Sequence, residues 1–341
     1  MSDLNDSNMI WADSTSGRLL EVIDARIAAI GLDLTGLTVL TDARTEEDFV
    51  TILLAARAGA RRIVAAAPAR ATVRSAQVEA MLRRLNAEET LTSEIEFVQG
   101  LTADIATGVD IVAVERQSSL IKPALLSLMP SRSVLAMLFD CRGAVSGGLD
   151  ARQRDAYDLK VAGADLADRE SGVADYLAPL CLLQISQAGV DPAGARCLLL
   201  CDNEMKGLLA TGLQGAGADV VIRPSLAEVS EGSFDLVILA MTPSREYRLD
   251  LADVSRLPEL IPAGMVIQFW GDIDRSAARY FSVDIWPPVH PGRGQMGIRL
   301  AALGSEPVVA IRAQALQSAT LALKQDFPDE GAPPERLAAT A

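Results

Sequence analysis

The chain has 341 residues, more than one hydrophobic core usually holds, and 50% of them are apolar, so two domains are expected. Its 45 acidic and 31 basic residues give a formal net charge of −14, which argues against nucleic acid and anionic membranes as partners. Only 4% of the residues are aromatic, so the core must consist mainly of Ala, Leu, Val and Ile, as in α/β proteins with parallel strands buried on both faces.

The N-terminus predicts a soluble, cytoplasmic protein. Its first 14 residues lack the basic and apolar regions of a signal peptide, and the longest apolar runs fall far short of the ~20 residues that span a bilayer. The four cysteines form no C-x-x-C pair and there is one histidine, so we expect reduced thiols and no metal site. Cys197 and Cys201 share one face of a predicted strand, which favours core packing over a redox pair.

Strands and helices alternate through the first half of the chain. An N-terminal helical segment over 1–35 contains a helix predicted from the apolar spacing of residues 16–30. A first Rossmann-like α/β domain is expected over 36–148. Its predicted strands are 37–42, 61–67, 95–100, 109–115 and 133–140, with helices over 46–58 and 70–86. This alternation predicts right-handed crossovers and a parallel sheet with helices on both faces.

The second half repeats this layout. Residues 149–192 show helical spacing without a strand signal and are expected to be connecting helices, and a second Rossmann-like domain follows over 193–290. Its predicted elements are strands at 195–201, 218–224, 234–241, 264–271 and 280–286, and a helix at 204–215. Residues 291–326 are expected to form a loop and a returning C-terminal helix, which is predicted at 313–325. Residues 327–341 are expected to be a disordered tail. The predicted fold is α/β, with two tandem Rossmann-like doubly wound parallel-sheet domains joined by connecting helices.

The turn after the strand at 197–200 stands where a dinucleotide-binding fold carries its glycine-rich phosphate cradle. It reads CDNEMKG, so the G-x-G-x-x-G pattern becomes Asp202-x-Glu204-x-x-Gly207, without the first two glycines. Glycines let the backbone approach a pyrophosphate, whereas two carboxylates repel it. Two interpretations stay open: either the acids cap the following helix and stabilise its first turn, or the pocket accepts a neutral or cationic ligand.

The surrounding pattern resembles the nucleotide-binding domain of two-domain NAD enzymes, a group that includes adenosylhomocysteinase and the 2-hydroxyacid dehydrogenases. The resemblance covers residues 193–290 and includes the helix KGLLATGLQGAGA, the strand DVVIR and the later strand GSFDLVILA. It implies the fold and makes NAD or NADP a candidate cofactor. Arg223 stands where NAD enzymes usually carry an acid for the ribose hydroxyls, so it either suits the 2′-phosphate of NADP or is a solvated loop residue.

His290 is the only histidine, so any imidazole acid–base chemistry must use it. In the 2-hydroxyacid dehydrogenases a late histidine paired with a carboxylate protonates the substrate, and the resemblance implies this role for His290. Asp284, Asp272 and Asp274 are the candidate partners, with Asp284 as our choice; the alternative is an exposed or structural histidine. The literal G-x-G-x-x-G at 292–297 follows no strand, so we interpret it as a coincidence within a flexible loop at the domain junction.

Charged residues supply the other candidate sites. Lys206 contacts a ligand or is surface charge, and Arg293, with Arg299, clamps a carboxylate or pairs with the acidic surface. Open α/β sheets bind ligands at the carboxyl ends of their strands, where the first domain carries a polar group of mixed sign. Its members are Thr41, Asp42, Glu115, Arg116, Asp140 and Arg142.

These features predict a small-molecule biosynthetic enzyme, with oxidoreductase-like ancestry as one option and its active site in the cleft between the domains. The cleft would be lined by the 201–207 turn, Arg223, residues 241–244 and the 286–297 loop, and its substrate would be a small-molecule or peptide-like metabolite. The alternative is a non-catalytic binding or scaffold protein that keeps a Rossmann fold and has lost NAD(P) binding. A homodimer formed through apolar helix faces is expected.

Overall fold

The computed structural model describes residues 17–67, 73–87, 93–99, 102–115, 118, 120–121, 126–138, 160–164 and 172–326. The predicted tail at 327–341 lies outside these ranges, as do Arg116, Asp140, Cys141 and Arg142. The described residues form two parallel sheets of six and five strands, the α/β architecture that the sequence predicted.

The first sheet is doubly wound. Its elements are α1 (Arg18–Ile30), β1 (Thr38–Asp42), α2 (Glu46–Arg57), β2 (Arg62–Ala67), α3 (Val73–Ala87), β3 (Glu94–Gln99), α4 (Ala103–Ala106), β4 (Ile111–Val114), β5 (Val134–Met137) and β6 (Lys160–Gly163). All strands are parallel in the order β3-β2-β1-β4-β5-β6, so the chain reverses direction across the sheet between β1 and β4. Strand β6 corrects the expectation of helices alone over 149–192, because its short sequence KVAG has too few apolar residues to give a strand signal.

The second sheet has one strand fewer. Its elements, with the last helix, are α5 (Ala174–Gln187), β7 (Arg196–Leu200), α6 (Lys206–Gly215), β8 (Asp219–Arg223), β9 (Leu236–Ala240), α7 (Leu251–Leu260), β10 (Met265–Trp270), α8 (Arg275–Tyr280), β11 (Asp284–Trp286) and α9 (Ser305–Asp326). The strands are parallel in the order β11-β10-β9-β7-β8, so the reversal lies between β7 and β9.

Two boundaries differ from the sequence prediction. The strand expected at 280–286 begins only at Asp284, because Asp274 caps a helix that runs to Tyr280 by accepting hydrogen bonds from the N–H groups of Ser276 and Ala277. The last helix begins at Ser305 rather than at residue 313.

The last helix joins the two halves of the molecule. It follows the second sheet in sequence, yet it packs on α1 and α2 and on β4, β5 and β6 of the first sheet. A single apolar cluster runs from the first sheet through this helix and α5 to the second sheet, and it contains the buried free thiols of Cys181, Cys197 and Cys201. Burial raises the pKa of Cys197 and of Cys201 to about 11, consistent with the predicted core role. Among the described helices, none combines the length and apolar character needed to cross a bilayer.

Candidate functional site

Each sheet has one place where open α/β folds bind ligands, at the carboxyl ends of the two strands between which the strand order reverses. In the first sheet this place, which we call the first crevice, comprises residues 41–51 and 114–115 at the ends of β1 and β4. In the second sheet, the second crevice comprises residues 201–207 and 241–248 at the ends of β7 and β9. Both contain residues that the sequence singled out.

Asp202 spans the second crevice. Its Oδ1 accepts a hydrogen bond from the backbone N–H of Thr242 at 2.8 Å, and its Oδ2 lies 2.5 Å from Nη2 of Arg248. The Asp202 and Arg248 side chains are 24% and 27% exposed, so the ion pair is partly shielded from solvent. The carboxylate therefore connects the turn after β7 to the loop after β9.

Asn203 shapes the turn, a role that the sequence analysis missed. Its Nδ2 donates to the carbonyl of Ala240 at 2.9 Å, and its Oδ1 accepts from the N–H of Met205 at 3.1 Å. Helix α6 has Met205 as its N-cap residue, without a side-chain capping bond. The interpretation of Asp202 as a helix cap is therefore wrong, because its carboxylate bonds across the crevice. The preference of asparagine for local turns was the available signal.

The other residues predicted around this turn lie at the same edge of the sheet. Lys206 opens α6 and is exposed, Glu204 is exposed on the turn, and Gly207 has open space where a Cβ would stand. Arg223 ends β8, and its carbonyl accepts from the N–H of Cys201 at 2.9 Å. The Arg223 guanidinium is exposed and donates to the carbonyl of Ile222 at 2.7 Å, so its predicted role toward a ribose phosphate stays a prediction.

The loop after β11 is anchored at several points. Arg275 donates to the carbonyls of Pro287 at 2.8 Å and Pro288 at 3.1 Å. The fully buried carboxylate of Asp272 accepts from the N–H of Gly294 at 3.0 Å, which occupies a donor that a phosphate cradle would need. The literal glycine motif is therefore no phosphate cradle. These hydrogen bonds hold the loop at several points, whereas the sequence suggested a flexible loop.

Arg293 lies on this loop beside the loop after β9. Its guanidinium donates to the carbonyl of Arg245 and lies 5.5 Å from the ring centroid of Tyr247, within range of a cation–π contact. The side chain is exposed, and the clamp of a substrate carboxylate stays a prediction.

His290 is exposed, and its Nδ1 accepts a hydrogen bond from the N–H of Gly292 at 2.9 Å. Asp284 is the first residue of β11 and pairs in register with Met265, the first residue of β10. Within the described part of the chain, no hydrogen bond or ion pair joins His290 to Asp284, Asp272 or Asp274. The structure does not assemble the predicted histidine–carboxylate pair.

The first crevice contains an arginine from the other end of the chain. Arg312 of α9 is 2% exposed; it donates to Oγ1 of Thr51 at 2.5 Å and to Glu115, and it lies 3.8 Å from Asp48. Arg299, which precedes α9, forms an ion pair with Glu47 in the first turn of α2. The sequence analysis missed Arg312, although a lone cation between buried Ile311 and Ala313 was a readable signal.

Carboxylates outnumber cations in the first crevice. Among the described residues, five carboxylates lie close to three guanidinium groups: Asp42, Glu46, Glu47, Asp48 and Glu115, with Arg44, Arg299 and Arg312. Burial, followed by the charge of Asp48, raises the pKa of Asp42 to about 6. Burial also raises the pKa of Glu115, although its ion pair with Arg312 opposes the shift.

Several buried polar atoms at the carboxyl edges of the two sheets have no hydrogen-bond partner in the described structure. They are Oγ1 of Thr41, near the end of β1, Nε of Arg248 in the loop after β9, and Nε1 of Trp270 at the end of β10. Native proteins leave few such atoms, and bound ligands or water are common reasons for them. No group of three or more His, Cys, Asp or Glu side chains in the described ranges is arranged to hold a metal ion.

No protein-family model matches the chain, and no curated protein sequence matches it significantly. Solved structures do match. A dipicolinate synthase chain from Bacillus subtilis is 14% identical with a TM-score of 0.55, and the match covers 87% of this chain and 99% of that chain. A dipicolinate synthase chain from Bacillus halodurans is 12% identical with a TM-score of 0.50, covering 85% of this chain and 99% of that chain.

An NAD⁺-bound 3-phosphoglycerate dehydrogenase from Entamoeba histolytica matches at 8% identity and a TM-score of 0.48, covering 86% of this chain and 96% of that chain. The matches with the two dipicolinate synthase chains confirm the predicted resemblance to two-domain Rossmann-type proteins at the level of the fold.

Proposed function

We propose that the protein is a small-molecule enzyme on a dehydrogenase-like two-domain scaffold, with its ligand site between the carboxyl edges of the two sheets. In this proposal the enzyme works without a dinucleotide in the second crevice. The observation that carries it is the position of Asp202, bonded to the N–H of Thr242 and to Arg248 across that crevice.

NAD and NADP do not fit the residues of the second crevice. A diphosphate there would need free backbone donors and close backbone approach, yet the first two glycines are absent and Asp202 already uses the N–H of Thr242. A phosphate charge about 4 Å from a carboxylate costs roughly 4 kcal/mol at the effective dielectric of a protein surface. Arg248 cannot offset this cost without breaking its ion pair with Asp202.

The edges of the two sheets support the cleft as the place for a substrate. The ion pair of Arg299 with Glu47 brings the last loop of the second domain to the first turn of α2, beside the first crevice. The unpartnered polar atoms of Thr41, Arg248 and Trp270 lie at these same edges. Groups of this kind at converging strand ends are typical of small-molecule sites.

The proposal extends to a biosynthetic role on a small-molecule or peptide-like metabolite and to a cytoplasmic homodimer. Tyr280 is 81% exposed and Val289 is 73% exposed, and such apolar side chains on the second domain support a surface for a second copy of the chain. Size-exclusion chromatography with light scattering tests this part, and a monomer at micromolar concentration would contradict it.

A fluorescence titration with NADH and NADPH tests the central claim. We expect no saturable binding of either nucleotide in the micromolar range, and saturable binding would overturn the proposal. The double variant Asp202→Gly/Glu204→Gly should gain affinity for at least one nucleotide, because it restores both glycines and removes both charges. The control Glu259→Gln removes an exposed carboxylate near the end of α7, outside both crevices, and should gain none. A double variant that still binds neither nucleotide would contradict the electrostatic explanation.

A non-catalytic binding or scaffold protein is the second candidate, favoured by His290, which is exposed and bonded to the Gly292 backbone rather than to an acid. Incubation with a small-molecule extract, followed by mass spectrometry, separates the two functions. An enzyme depletes a compound in many-fold molar excess over protein, whereas a binding protein retains at most a stoichiometric amount.

A further inference from the structure

The first crevice has a surplus of buried carboxylate and an unpartnered hydroxyl at one edge of the sheet. We propose that it binds the ammonium group of a small amine or amino acid, with Glu115 and Thr41 as the two main contacts. This inference rests on the proposed function, since it names the ligand class of the cleft.

The charge balance of the described residues in the first crevice favours a cation. Five carboxylates lie close to three guanidinium groups among the described residues, and each guanidinium already has a carboxylate partner. The acids also raise each other's proton affinity, because Asp48 raises the pKa of Asp42, and Glu47 and Asp48 raise that of Glu115. Repulsion between these carboxylates favours their protonated forms. A bound cation would relieve the same repulsion, so it is favoured for the same reason.

Glu115 is the most exposed carboxylate of this group. Its side chain is 37% exposed, whereas those of Asp48 and Arg312 are each 3% exposed. Loss of hydration nevertheless is the largest cause of its raised pKa.

Thr41 gives the second and independent observation. The residue is fully buried, and its Oγ1 has no hydrogen-bond partner in the described structure. Thr41 pairs in register with Ala113 of β4, and Glu115 follows Ala113 by two residues, so the alternation of side chains places Thr41 and Glu115 on the same face of the sheet. Strand spacing and rise place their Cα atoms about 8 Å apart, within reach of one ammonium group that contacts both side chains.

The donor pattern of an ammonium group suits these contacts better than a metal ion does. An ammonium nitrogen carries three N–H donors and no acceptor, so it can bond the carboxylate and the hydroxyl oxygen at once. The described residues contain no group of three or more His, Cys, Asp or Glu side chains arranged to hold a metal ion. The crevice therefore selects an organic cation by charge and by hydrogen bonding.

A charge series of equal size tests the proposal on the full chain. The probes are n-butylammonium chloride, n-butanol and sodium butyrate, each compared with potassium chloride at matched ionic strength by thermal shift and by isothermal titration at pH 7.5. We expect saturable binding and a raised Tm with n-butylammonium only. A Tm no higher with n-butylammonium than with potassium chloride would overturn the proposal.

Variants then locate the binding. Glu115→Gln should weaken n-butylammonium at least tenfold, and the nearly isosteric Thr41→Val at least threefold. The control Glu259→Gln removes an exposed carboxylate near the end of α7, outside both crevices, and should leave the affinity unchanged. Equal affinity in Glu115→Gln and the unmodified chain would show adventitious binding to the acidic surface and overturn the proposal. If Glu115→Gln fails to fold, the result with Thr41→Val decides.

The outcome is separable from that of the proposed function. Butylammonium binding is measured without nucleotide and depends on the first crevice, whereas the NADH and NADPH titration depends on the second. A protein that binds both probes would overturn the proposed function and support the ammonium site. A protein that binds neither probe would support the proposed function and overturn the ammonium site.

Discussion

The two crevices occupy the same topological position in their sheets, yet the chain closes them by different means. The first crevice contains a buried arginine from the last helix, whose hydrogen bond to Thr51 joins residues 261 apart in sequence. The second is spanned by an ion pair between residues 46 apart, with both side chains about one-quarter exposed. Equivalent positions in two related folds can therefore have very different electrostatic surroundings.

The exposure of each ion pair to solvent determines how much that pair contributes to the free energy of unfolding. A buried charge that loses its partner costs roughly 3–5 kcal/mol, because neither water nor another group replaces the lost contact. A partly exposed ion pair contributes about 0–1 kcal/mol, since water solvates the released groups. The first crevice is therefore tied to the folding of the whole chain, whereas the second can change with little loss of stability.

Loss of the arginine in each crevice should have the largest and most unequal effects. Arg312→Met leaves Asp48 and Glu115 without their partner and should lower the free energy of unfolding by about 3 kcal/mol. Arg248→Met removes a partly exposed partner of Asp202 and should cost about 1 kcal/mol or less. Urea unfolding followed by circular dichroism measures both, and equal losses would contradict the contrast between the crevices.

The pH dependence of stability should report on the first crevice through Asp42. Its pKa is raised from 3.8 to about 6 in the folded chain, so the folded state holds the proton more tightly than the unfolded state. The stability that protonated Asp42 provides is complete below pH 3.8 and is lost as the pH rises through about 6.

Asp42→Asn removes this dependence. The stability of the variant relative to the unmodified chain should therefore increase by about 3 kcal/mol between pH 4 and pH 7, the value that the shift of about two pKa units implies. Urea unfolding across this pH range measures the difference. A difference that stays constant with pH would contradict the raised pKa.

Two glycines of the second domain differ in the space around them, so their replacement by alanine should have opposite effects on stability. A Cβ at Gly297, the last residue of the literal G-x-G-x-x-G, would clash with the carbonyl of Gln268, so Gly297→Ala should cost about 1–3 kcal/mol. Gly207, the surviving glycine of the altered turn, faces open space within a helix, so Gly207→Ala should stabilise by about 0.5–1 kcal/mol. Thermal unfolding of the pair tests this, and a stabilising Gly297→Ala would show that the close approach relaxes.

The repeated alternation of apolar strands and helices predicted most of the fold, because periodicity depends on local sequence. It failed at β6, whose four residues KVAG are too short and too weakly apolar to be read, and at the start of β11, where the cap at Asp274 favours a helix. The predicted site was less complete. Asp202 was identified from the missing glycines, but Arg248 and Arg312 come from distant segments that no local pattern connects to the crevices.

The amino-acid sequence by itself determined the α/β class, the two parallel sheets, and the loss of the glycine cradle, because each depends on residues that are neighbours in the chain. Tertiary structure alone decided what fills each crevice. It directs the Asp202 carboxylate to Thr242 rather than to its own helix, and it brings Arg312 to Glu115 across most of the chain. The physical reason is that burial, which sets the strength of every charge interaction here, is a property of the packed molecule and not of any one segment.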